Sequence, residues 1–169
     1  PTIGTITARD TITDAGVLGS QGAALAFLAD GQGGGEIIRH GVYDSSVATK
    51  GMLVSFSQTS WYAADRSDSS GASAGHHWLA VALDVDGGSD EGLVLLRGYV
   101  RIDSSLMNGY SAVTDVGKPV YLSTTAGEYD LAVSTTSGDL VRVVGYLADT
   151  DGTDHLIYFC PDNTWVEVA

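Results

Sequence analysis

A chain of 169 residues holds one compact domain, or one domain with an arm, and has little room for two independent ones. Its 21 acidic residues outnumber 8 basic ones, a net charge of −13 that argues against nucleic acid and anionic membranes as partners, since Lys and Arg bind both. Charged residues make up only 17%, against roughly 25% in ordinary domains, so much of the exterior must be small and uncharged or lie against other chains.

Residues 1–20 are rich in Thr and Gly, with weak alternation at Ile3, Ile6 and Ile12, and read as an extended N-terminal arm laid on a neighbour. The opening Pro1-Thr2-Ile3 has no basic n-region or apolar core of a signal peptide, and a start at Pro1 suits removal of an initiator Met. Residues 23–29 (Ala-Ala-Leu-Ala-Phe-Leu-Ala) fit a helical turn or a strand equally well. Val54-Ser55-Phe56-Ser57 alternates with period two, as a half-buried strand does. Residues 65–75 form a polar, exposed loop by composition. Residues 93–96, 140–144 and 155–159 are nearly continuous apolar runs and predict deeper strands, while Val100-Arg101-Ile102-Asp103 alternates again. Asp86-Gly87-Gly88-Ser89-Asp90 and Asp151-Gly152-Thr153-Asp154 carry turn chemistry. No apolar run reaches the ~18 residues of a membrane-spanning helix. Short strands at this spacing predict an all-β fold, a β-sandwich or barrel, with residues 21–169 as its single domain.

The chain also echoes itself. Val54-x-Phe56-Ser57-x-Thr59 returns as Val120-x-Leu122-Ser123-x-Thr125. Residues 79–87 resemble residues 144–152, and Leu93-Val94-Leu95 matches Leu156-Ile157-Tyr158. The three pairs keep their order, offset by 66, 65 and 63 positions. They predict two similar β-units, about residues 50–98 and 117–161, sharing one core. Two copies are too few for a solenoid.

The search for chemistry yields no catalytic, cofactor-binding or metal-ligating set. His76 and His77 are adjacent and would face opposite sides of a strand; His40 and His155 have no zinc spacing, so all four read as surface or loop-edge residues. Asp84, Asp86, Asp90 and Glu91, like Asp149, Asp151 and Asp154, suggest a calcium loop, but Gly falls at position four and no Glu stands at twelve. Hairpin turns explain them better. No Gly-x-Ser-x-Gly elbow and no phosphate loop is present, and nothing singles out a carboxylate pair. Cys160, the one cysteine, ends an apolar run and reads as a buried, inert thiol. Trp61, Tyr62 and Trp165 could stack on sugars if exposed, but fit better as residues closing a core or an intersubunit seam.

Residues 117–127 (Gly-Lys-Pro-Val-Tyr-Leu-Ser-Thr-Thr-Ala-Gly) are similar to a segment of structural proteins from marine and cyanobacterial phages. Residues 137–146, 92–100 and the closing 157–167 fit the same pattern, which covers roughly residues 79–169. Cys160 departs from it, standing where a polar residue such as Asn is expected. Residues 117–160 look like the β-barrel or β-tulip motif of capsid decoration proteins. The resemblance implies a non-enzymatic virion protein on the outer surface of the capsid, a homo-oligomer, expected as a trimer, that cements major capsid proteins without cofactor. Similar segments end tail or fibre proteins, so a receptor-binding tail component is the alternative, though a chain of this length lacks a repetitive shaft.

Overall fold

The computed structural model describes residues 30–68, 70–85 and 91–169. The arm expected at residues 1–20, the stretch 23–29 and the acidic turn at 86–90 lie outside the described residues.

The fold is all-β. Its strands are β1 (Gly33–Tyr43), β2 (Leu53–Ser57), β3 (Ser60–Ala63), β4 (Trp78–Asp84), β5 (Glu91–Asp103), β6 (Met107–Asn108), β7 (Pro119–Leu122), β8 (Tyr129–Asp130), β9 (Leu140–Val141), β10 (Val143–Thr150), β11 (Asp154–Phe159) and β12 (Val166–Glu167). Ten of them form one sheet in the order β1-β3-β2-β4-β5-β11-β10-β7-β8-β6, and β12 pairs with β9 separately. Because β1 also pairs with β5, the first five strands close on themselves as a barrel does, which removes the open edge that β1 and β5 would otherwise present to each other. The second group extends from the far half of β5.

The sequence echo falls on equivalent hydrogen-bonded ladders. Val54 faces Ala80 between β2 and β4, and Val120 faces Gly145 between β7 and β10. Between β4 and β5 the register runs Ala82↔Val94, then skips to Asp84↔Leu93; between β10 and β11 it runs Leu147↔Ile157, then skips to Asp149↔Leu156. The same bulge therefore recurs at the same place, where an aspartate follows the last apolar residue of the strand. The structure adds a strand to each unit. Ile38 and Arg39 of β1 face Val94 and Leu93, and Val100 and Arg101 of β5 face Ile157 and Leu156. One long strand thus ends the first unit with its front half and opens the second with its back half. The sequence had read those halves as two strands. They are joined through Leu96, the extra residue of a bulge against β1, and Gly98.

Leu53, Val54 and Ser55 on β2, and Leu79 through Ala82 on β4, are all fully buried, so these strands are covered on both faces. That is why the run on β4 is continuous, and it corrects the half-buried reading of β2, where Ser55 lies inside with its hydroxyl bonded to Ala72 O. One core cluster takes side chains from both units, including Trp61, Leu95, Val120, Tyr129, Leu147 and Phe159. The two are further locked by a turn: Leu53 N–H donates to Gly127 O at 2.8 Å, Gly127 N–H to Ala64 O at 2.8 Å, and the buried Tyr129 hydroxyl to Gly51 O at 2.8 Å.

Residues 65–75 depart from the expected exposed loop. Ala74 and Gly75 are buried, a short parallel bridge joins Asp65 to Ala74, and Ser55 Oγ donates to Ala72 O at 2.8 Å. Short polar side chains make this possible. Asp65 accepts from Ser67 N–H and Asp68 from Gly71 N–H, so the loop's polar groups are satisfied locally while its small residues pack.

Candidate functional site: a cleft where the sheet divides

On one edge of β5, β4 pairs only as far as Leu95 and β11 begins only at Gly98. The two strands diverge from that point, and a cleft of about 490 Å³ opens between the units. Its polar and aromatic lining comes from Glu36, Trp78, Arg97, Arg142, Cys160 and Asn163.

Trp78, the first residue of β4, is 47% exposed. Its ring lies 5.4 Å from that of Trp61 and 5.9 Å from that of Phe56, with His40 at 6.3 Å. Trp61 is fully buried and donates its Nε1–H to His40 O at 2.6 Å, so the cluster under Trp78 is anchored to the backbone of β1. Arg142, just before β10, is 6% exposed. Its Nε donates to Asp162 O at 2.7 Å, and its Nη1 to Gly75 O at 2.8 Å and His77 O at 2.7 Å. Burial lowers the guanidinium pKa, with Asp162 opposing, yet an arginine keeps its charge. Arg97 is exposed on the same cleft, and its hydrogen bond with Tyr158 raises its pKa. Cys160 is half-buried here rather than fully buried as expected, because the chain leaves the sheet right after Phe159; burial pushes its thiol pKa up, against reactivity.

A second polar cluster gathers Asp30, Asp103 and Asp154, with carboxylate oxygens within 4.8 Å of one another. Arg101 supplies positive charge to this corner: its Nη1 lies 3.1 Å from Asp151 and 3.6 Å from Asp154. The alternation at residues 100–103 implied a solvated Arg101, yet it is 4% exposed, because the turn after β10 folds over it and pairs with it. Desolvation first, then Asp154 and Asp103, raise the Asp30 carboxyl pKa. A raised folded-state value means that ionised Asp30 opposes the fold at neutral pH, and that this opposition fades as pH falls through the raised value. Asp30→Asn is therefore expected to raise the melting temperature at pH 7 by about 1–2 °C, an exposed charge being worth little. Calorimetry should show the gap closing as pH approaches the ordinary carboxylate range; a lowered melting temperature would contradict the repulsion.

Among the described residues, the acids of the two loops do not converge on one centre. Asp84 lies 3.8 Å from Lys50, Asp151 pairs with Arg101, and Asp154 alone of its loop joins the triad. His76 and His77 sit in the turn before β4, not on a strand, and the turn brings their rings to 4.5 Å. His155 contradicts its surface reading: it is fully buried on β11, 2.9 Å from Thr150 Oγ1 and ring-to-ring with Tyr110 at 4.4 Å. Burial is the leading cause of its lowered pKa, which keeps it neutral. Trp61 closes the core and Trp165 is 44% exposed against His76. Sequence reasoning passed over Trp78, Arg97 and Arg142, whose only signals were a tryptophan opening an apolar run and two arginines inside strand-like segments.

What fold and cleft define together is an all-β protein made of two ladder repeats that share a strand. Comparison with protein-family models, curated proteins and solved structures found no match.

Proposed function

We propose that this chain is a structural protein of a tailed-bacteriophage virion and, within the virion, a capsid decoration protein. It would act without catalysis on the outer surface of the expanded head, as a trimer bridging major capsid proteins. The observation that carries this reading is the surface: Val113 and Val166 are each 66% exposed, and Val116, Val133, Tyr146 and Trp165 are exposed as well. A chain with so few charges that also displays apolar side chains suits burial against neighbouring subunits. The resemblance of residues 79–169 to phage structural proteins points the same way. A doubly covered β-core gives such a protein the stiffness to hold several weak contacts at once, and those contacts add through effective concentration.

A tail or fibre component that binds a host receptor is the second reading, favoured by the half-exposed Trp78 at the mouth of the cleft. Co-sedimentation of the purified protein with undecorated expanded capsids, and in parallel with host cells, separates the two. Saturable binding to capsids at a fixed ratio to the major capsid protein is the expected result. Binding to cells with none to capsids would replace the cement role by the receptor role.

A further inference from the structure

We infer that the cleft between the two units binds an acidic saccharide, with a sugar ring on Trp78 and its carboxylate on Arg142 and Arg97. The inference does not depend on the capsid role.

Charge is the first argument. In a protein of net charge −13, cations are scarce and mostly spoken for. Lys50, Arg66, Arg101 and Lys118 each have a carboxylate within 4.0 Å. Among the described residues only Arg39, Arg97 and Arg142 have none, and two of these three line the same cleft. Two arginines against the one carboxylate of Glu36 leave the lining net positive in an otherwise acidic molecule, which suits an anionic ligand.

Arg142 is poised for an anion as well. More than nine-tenths of it is buried, and its Nε and Nη1 are committed to three backbone carbonyls, an arrangement that holds the guanidinium rigidly. Its Nη2 has no acceptor among the described residues, while the side chain lines the cleft. Nη2 is left open to solvent in the cleft, and a pre-oriented guanidinium N–H held there can donate to a ligand carboxylate without first being ordered. Arg97, exposed at the mouth, adds a second donor that can follow the ligand.

The site has an aromatic wall. Trp78 is half exposed yet held by the Phe56–Trp61–His40 cluster, so a stacking ligand gains contact without ordering a loose ring. A flat apolar ring beside guanidinium donors matches the two sides of a uronic-acid sugar, whose C–H face is apolar and whose edge carries the carboxylate. Glu36 and Asn163, on the cleft wall, supply acceptors and donors for hydroxyl groups. A cleft of about 490 Å³ falls in the usual range for small-molecule sites.

Isothermal titration calorimetry of the full chain with tri-galacturonate, its neutral counterpart galactotriose and a short poly-glutamate peptide tests the inference. Saturable binding of tri-galacturonate is expected at concentrations up to about 10 mM, with the neutral trisaccharide and the peptide each weaker by at least about tenfold. Trp78→Ala should abolish binding and Arg97→Gln should weaken it about tenfold, while Trp165→Ala leaves it intact. Arg97 is on the surface, so its variant folds whatever becomes of Trp78→Ala. No heat with tri-galacturonate, equal binding of the neutral sugar, or binding that survives both cleft substitutions would overturn the inference. Equal binding of poly-glutamate would overturn it in favour of an acidic protein segment. Co-sedimentation of the Trp78→Ala protein with capsids reads the proposed capsid role separately, so either can fail alone.

Discussion

Arg66→Met is expected to destabilise the protein by about 3–5 kcal/mol. Arg66 follows β3 in the first unit, and its guanidinium reaches into the second. Nε lies 3.1 Å from Asp139 Oδ2, and Nη1 lies 3.0 Å from Asp130 Oδ2 and 3.3 Å from Leu122 O. The three side chains are 13%, 5% and 13% exposed, for Arg66, Asp139 and Asp130 respectively. Ser134 Oγ donates a further hydrogen bond to Asp139 Oδ2 at 2.6 Å. Methionine would fill much of the same space and leave two carboxylates shielded from water with no cation between them. That unpaired charge, rather than the loss of attraction, is the main cost. Urea unfolding measures it. Adding Asp139→Asn to the variant should restore part of the loss, because it removes one stranded charge, and the double-mutant cycle gives the coupling. A loss below about 1 kcal/mol would mean that water reaches the site and the clamp is a surface pair.

Gly98→Ala is expected to cost on the order of 3 kcal/mol, or about 6–12 °C in melting temperature. Gly98 has φ +141°, a backbone conformation closed to side chains, and faces Gly35 across the β1–β5 ladder, itself at φ +151°. A Cβ on Gly98 would stand 2.2 Å from Gly34 O and 2.8 Å from Gly35 Cα. Both are backbone atoms of a paired strand, so no side chain can swing aside. Relief requires β1 to separate from β5 where β5 passes from one unit to the other, beside the cleft. Gly34→Ala is the control: nothing lies within 4 Å of its added Cβ, and its melting temperature should barely change. Equal effects of the two substitutions would remove the special status of Gly98.

Local pattern carried a good share of the architecture. Apolar runs and Asp-Gly turns marked β2, β4, β5, β7, β10 and β11, and the three echoed segments landed on equivalent ladders, with the same bulge in β4–β5 and β10–β11 and an extra one in β7–β10. These features are legible because strand alternation, turn residues and a repeated motif are properties of adjacent residues. The candidate cleft was not legible at all. Trp78 and Trp61 are both tryptophans at the starts of strand-like runs, yet one is half exposed and the other fully buried. The difference lies in which strand edge covers each.

What the sequence by itself determined, then, is the class of fold, the repeat and a strongly acidic net charge. Tertiary structure alone decided that β5 serves both units, that β1 closes the first five strands, and that β4 and β11 part at Leu96 and Arg97. It alone put Arg101 and His155 inside and brought Asp30 to Asp103 and Asp154. The physical reason is common to all of these. A strand's periodicity says which side chains share a face, but the choice of pairing edge is made by residues distant in sequence, as when Arg101 meets Leu156. Burial, ion pairing and the opening of a cleft all follow from that choice.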